Sequence, residues 1–185
     1  ASGGTYVAWC WKAGGAAVSN TDGSVTSQVS ANNTYGFSIV KYSLTGSSNQ
    51  TIGTGLSSAA KMIFTKATTT TNGWACWHTG IGDTEGLVLS STAAASSVTW
   101  WDQSNATSTA FAHKAGTTSS QGGDIIAYVW SEVAGFSKIS SYTGNGSGTG
   151  PVIDCGFKPR FLLIKADIAG EDWVILDSAR NSSNP

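Results

Sequence analysis

The sequence predicts an all-β chain, built as antiparallel β-sandwich or jelly-roll units in a tandem repeat of about 100 residues, the second unit incomplete. Three observations carry this. Charged residues make up 11% of the chain, against roughly 25% in an average soluble domain; Gly, Ser, Thr, Ala and Asn take their place, a composition of strands and turns rather than helices. Short apolar runs recur at roughly ten-residue spacing with turn signals between them. Finally, Phe37 and Phe136, Lys66 and Lys165, and Trp74 and Trp173 repeat in one order at one offset (165 − 66 = 99).

Residues 6–11, Tyr-Val-Ala-Trp-Cys-Trp, form a nearly continuous apolar run suited to a strand buried on both faces. Residues 12–34 turn polar, with Asp22-Gly23 as a turn pair, so a hairpin or loose connector is expected. Residues 37–42 alternate as a strand. Residues 61–66 form another, with a Lys at each end, and the polar turn ending at Asn72-Gly73 returns the chain as a partner strand over 74–78. Shorter strands are expected at 86–89, 98–101 and 110–113, and residues 125–130 close the unit. That last run, Ile-Ile-Ala-Tyr-Val-Trp, echoes residues 6–11. In the second copy, the run from Phe136 to Tyr142 matches 37–42, residues 161–165 match the Lys-ended strand, and Ala169-Gly170 sits at the hairpin tip. No segment has helical periodicity.

The expected organisation is therefore a terminal strand (1–12), a polar linker or loop (13–35), a complete sandwich (36–131) and the front half of a second unit (136–185). Two explanations of the half unit stay open. The chain is a piece of a longer repetitive protein, or the open half and the N-terminal strand complete each other, within or between chains.

A net charge of −1 leaves no electrostatic footprint for nucleic acid or anionic membrane. Ala1-Ser2-Gly3-Gly4 lacks the pattern of a secretory leader, and no apolar run approaches the ~20 residues of a membrane helix. Neither nucleic-acid binding nor membrane insertion is expected. Cys10, Cys76 and Cys155 make neither a disulfide framework nor a zinc site, and are expected as reduced cysteines buried in strands.

The sequence words in residues 6–15, 132–138, 141–146 and 177–181 resemble a repeated domain of large virion proteins of tailed, mainly marine, phages. The resemblance covers essentially the whole chain. It implies a concanavalin-like sandwich, a structural place in a virion, tail or fibre outside the cell, and partners that are other copies of the chain or other virion proteins, met through strand edges. It carries no catalytic residues.

Read residue by residue, the chain points the same way. His78 and His113 sit on different strands without ligand spacing, and neither a nucleophile elbow nor a phosphate loop is present. Among the acids, Asp83, Glu85, Asp102, Asp124 and Glu132, no pair is set by sequence to flank one cleft. Asp83 and Glu85 share a turn that could add oxygen ligands to Ca²⁺, but solvated loop acids are the expected reading, and no cofactor is expected. The alternative function is carbohydrate binding, with a host cell-surface glycan as ligand. Trp101, Asp102 and Asn105 are its candidate residues: a ring stacks on a sugar face while polar neighbours read the hydroxyls, and adjacent Trp100 and Trp101 point to opposite faces of a strand. Trp9, Trp11 and Trp74 are expected in the core. Five Asn-x-Ser/Thr sites, at Asn32, Asn49, Asn105, Asn145 and Asn181, follow from composition.

Overall fold

A computed structural model describes residues 3–4, 8–45, 48–114 and 123–180. The strands among them are β1 (Val18–Asn20), β2 (Ser27–Asn32), β3 (Phe37–Leu44), β4 (Asn49–Gly53), β5 (Met62–Ala67), β6 (Ala75–His78), β7 (Glu85–Val88), β8 (Ser96–Ser97), β9 (Ala110–Lys114), β10 (Gly123–Trp130), β11 (Phe161–Lys165) and β12 (Trp173–Asp177). A 3₁₀ turn spans Gln103–Asn105. The chain is all-β, as its composition predicts.

Eight strands form one antiparallel sheet in the order β1-β2-β3-β10-β5-β6-β7-β8. Its middle strand, β10, lies between β3 and β5. Side chains alternate across the pleat, so Val40 and Tyr42 of β3, Ile125, Ala127 and Val129 of β10, and Ile63 of β5 share one face with Trp77 of β6. The small β4-β9 pair contributes Ile52 and Phe111 to the same buried cluster. Full burial of each such aliphatic or aromatic side chain is worth about 1.5–3 kcal/mol. Hydroxyls tie the layers where apolar contact ends: Ser27 Oγ donates to Gly53 O at 3.1 Å and Ser38 Oγ to Thr54 O at 2.6 Å.

The opposite face of the large sheet is aromatic. Phe37, Trp130 and Met62 stand in one cross-strand row, Ile39, Tyr128 and Phe64 in the next. Ring centroids lie 5.1 Å apart for Phe37 and Trp130, and 5.1 Å for Phe64 and Trp130. Residues of the 8–13 segment and the β11-β12 hairpin reach over this face: Trp11 meets Trp130 at 5.7 Å, and Trp173 meets Phe64 at 6.2 Å.

The β11-β12 hairpin reproduces β5-β6 in register. Met62 faces His78 and Phe161 faces Asp177; Phe64 faces Cys76 and Leu163 faces Ile175. Thr79 N donates to Lys61 O at 2.8 Å, and Ser178 N to Arg160 O at 3.0 Å. Even the repeated lysines act alike, each turning its ammonium onto carbonyls of its own turn: Lys66 onto Thr70 and Asn72, Lys165 onto Ala166 and Ile168.

Four expectations need correction. Residues 13–35 are not a linker: β1 and β2 pair as a hairpin around Asp22-Gly23, the alternative that the turn pair allowed, and belong to the large sheet, with Ser27 and Val29 buried. Small polar side chains on alternate positions hid the pairing of β2 with β3. Residues 98–101 are not a strand either; the strand is β8, and Trp101 makes only an isolated bridge to His113. Phe136 to Tyr142 likewise forms no strand, apart from a bridge between Val133 and Ser137. The strand it resembles in sequence, β3, exists by pairing with β2 and β10, and Phe136 to Tyr142 meets no such pair of strands among the described residues. Of the expected terminal strand, residues 1–2 and 5–7 lie outside the described residues, and 8–12 join no ladder.

Candidate functional site

Trp101 lies inside the protein, 1% exposed. Its indole Nε1 donates to Cys76 O at 3.3 Å, and its ring stacks on His113 with centroids 4.7 Å apart. A ring sealed in this way cannot stack on a sugar, so the proposed trio of Trp101, Asp102 and Asn105 is not brought together at a surface. Asp102 and Asn105 do meet on the 3₁₀ turn, where both touch Ser104: its Oγ donates to Asp102 Oδ1 and accepts from Asn105 Nδ2 at 3.3 Å. Gln103 between them, which sequence reasoning passed over, is buried and pairs both amide atoms with the main chain of Ala112, as a strand residue does. Its only signal was a long polar side chain placed two residues after a Trp pair.

His113 belongs to the same interior. Tyr42 Oη and His113 Nδ1 are 2.5 Å apart. Burial pushes the imidazole down to about 3 and raises the Tyr42 phenol. A neutral ring held between Tyr42, Phe111 and Trp101 packs and hydrogen-bonds; it has no path to a substrate. His78 is half-buried and accepts a hydrogen bond from Gly80 N at 2.8 Å; burial lowers its pKa, with Glu132 opposing.

The Asp83–Glu85 turn closes on itself. Glu85 Oε2 accepts from Gly82 N at 2.9 Å, and Asp83 O accepts from Gln103 N at 2.9 Å. No cluster of three or more His, Cys, Asp or Glu suited to a metal occurs among the described residues. All three cysteines are free, yet only Cys76 is buried in a strand, its thiol pushed up to about 12; Cys10 is exposed and Cys155 is half-buried in a loop. The expectation of three buried strand cysteines is corrected accordingly.

What the structure does assemble is an open groove of about 390 Å³ on the aromatic face. Its floor is Phe37, Tyr128, Trp130, Phe64 and Trp74, and its walls are Trp9, Trp11, Phe161 and Leu163. Trp9, Trp11 and Trp74 therefore line a groove instead of filling the core, and Trp11 is 45% exposed. Arg180 crosses the Trp9 ring at 5.2 Å and pairs with Asp177, whose pKa is held below the usual carboxylate range chiefly by the Arg180 main-chain N–H. Alongside the groove, β11 pairs only with β12. The strand it copies, β5, pairs on both sides, with β6 and β10. The outer edge of β11 is thus unpaired among the described residues.

Residues 1–185 match the family model described as a domain of unknown function, DUF7483. The chain belongs to this family. No curated protein matches it, and no solved structure does. The family description names no activity, ligand or partner, so the functional reading rests on the groove, the strand edge and the sequence.

Proposed function

We propose that the chain is a non-catalytic structural module of a phage virion, in a tail, fibre or other surface protein, and that it assembles through strand edges. The observation that carries this reading is the β11-β12 hairpin, a copy of β5-β6 in every register pair, with the edge that β10 fills in the first copy left open. That copy also supports a tandem repeat of about 100 residues whose second unit is incomplete. An open edge is a ready template for pairing with another chain. The half-covered aromatic face beside it supplies apolar area for the same contact.

Low charge and the resemblance to virion proteins favour an extracellular, assembled setting, with other copies or other virion proteins as partners. Carbohydrate binding loses its anchor with the burial of Trp101. The test is the native mass of the purified protein by analytical ultracentrifugation across a concentration series. A multimer that dissociates on dilution is expected; a strict monomer of 19.0 kDa at every concentration overturns the reading.

A further inference from the structure

We infer that the outer edge of β11 accepts residues 8–11 of a second copy of this chain, in the register that β10 takes on β5. The inference rests on the assembly reading above and names the surface and the strand.

The edge and the strand are both incomplete in one copy, and they match. On β5, Ala127 faces Thr65, Tyr128 faces Phe64, Val129 faces Ile63 and Trp130 faces Met62. The sequence Ala8-Trp9-Cys10-Trp11 echoes Ala127-Tyr128-Val129-Trp130, with aromatic rings on alternate positions of one face. Carried onto the copied hairpin, the register sets Ala8 against Ile164, Trp9 against Leu163, Cys10 against Leu162 and Trp11 against Phe161. Trp9 and Trp11 would then stand over the groove as Tyr128 and Trp130 stand on the large sheet.

The segment of the same chain does not take this place. Its own Trp11 does rest against Phe161, with centroids 5.5 Å apart, but residues 8–12 form no ladder, and Trp9 crowds the same end of the hairpin: its ring is 6.0 Å from Phe161 and sits under Arg180, three residues past the end of β12. In the repeat register Trp9 belongs two residues further along, beside Leu163. Cys10, in the position of fully buried Val129, is exposed. One chain thus offers a strand without a sheet and an edge without a strand, and a second copy satisfies both. Each copy gives one strand and takes one: reciprocal exchange closes a dimer, and sequential exchange builds rings or filaments.

The test is a disulfide that only this register permits. Directly opposed residues in antiparallel strands have Cα atoms about 4.5–5.5 Å apart, within the span of about 4.4–6.8 Å that a disulfide bridges. Leu162→Cys, mildly oxidised, is expected to give covalent dimers and higher multimers on a non-reducing gel, with peptide mapping joining Cys10 to the introduced thiol. Leu163→Cys, whose side chain leaves the strand on the other face, is expected to give none. Ala8→Cys with Ile164→Cys in a Cys10→Ser background repeats the test at a second pair, should Leu162→Cys perturb the hairpin. A bond formed within one chain overturns the exchange between copies. Absence of both bonds in protein that still sediments as a multimer overturns the strand and edge named here but leaves assembly standing, whereas wild-type protein that is monomeric throughout removes both.

Discussion

Tyr42, Trp101 and His113 put three groups with polar atoms at the centre of a hydrophobic cluster, and the acid-sensitivity of the fold follows from the last. In the unfolded chain His113 titrates near its ordinary value of about 6.5; folded, burial holds it at about 3. Between those values the unfolded chain binds the extra proton, so stability is fully present above about pH 6.5 and is lost as pH falls toward 3, by up to about 1.4 kcal/mol per pH unit. Half-buried His78 adds to the loss with the same sign. Urea midpoints at pH 7.5, 5.5 and 4.5 should fall in that order. His113→Gln should flatten the slope while weakening the protein at pH 7.5; an unchanged slope contradicts this account. The two classes of tryptophan separate as clearly. Trp101→Ala should cost about 3–5 kcal/mol as a buried aromatic truncation, and Trp11→Ala should cost under about 1.5 kcal/mol in equilibrium unfolding of the monomer, since much of its ring is already in water. The sequence could say that Trp100 and Trp101 point opposite ways. It could not say which faces inward, because that is decided by Cys76 O and His113, which lie 25 and 12 positions away along the chain (101 − 76 and 113 − 101).

Elements read well from sequence where their partners are local. The β5-β6 and β11-β12 hairpins each hold both strands and a turn within one short run, and both were predictable from Lys-ended apolar strands around a polar tip. The register of β10 between β3 and β5 was not, since nothing local fixes a pairing across that distance. For the same reason the run from Phe136 to Tyr142, with nearly the pattern of β3, forms no strand beyond its bridge at Ser137. Strand-forming residues make a strand only where another strand receives their hydrogen bonds. The β11-β12 hairpin is held to the body by Trp173, whose Nε1 donates to Val88 O at 3.3 Å, and by Gly170 N to Thr92 O at 2.9 Å. Trp173→Ala should raise hydrogen exchange across residues 161–177 while leaving β5-β6 protected, because the first hairpin is also fixed by β10. Equal loss in both would mean that the hairpins open as one unit.

At the level of the whole molecule, one face of the large sheet is finished and the other is half-covered. The finished face holds the core; the unfinished face holds the groove and the open β11 edge. With 10 basic and 11 acidic residues in the chain, association across that face depends on apolar area and main-chain hydrogen bonds. The multimer expected of this protein should therefore persist between about 0.05 and 0.5 M salt, a range over which charge-driven contacts are screened away. Dissociation at the upper end, followed by sedimentation, would show that ion pairs hold it. The all-β class was legible from composition, and the copied hairpin from its anchors. The β1-β2 hairpin was legible only as one alternative at Asp22-Gly23, and its place in the large sheet was not legible, because burial of Ser27 depends on the carbonyl of Gly53, a tertiary partner that composition does not reveal.

The central place of β10 also sets the tempo of folding. Ser43 on β3 meets Asp124 on β10 across 81 residues of chain, so the sheet cannot zip until most of the unit has left the ribosome, and pairings this distant place a domain among the slow folders, at about milliseconds to seconds. Until then β3 and β5 wait with bare edges. In a protein carrying such units in series, every nascent unit spends that interval within reach of its neighbour's β10, and mispairing between units becomes the hazard that synthesis has to outrun.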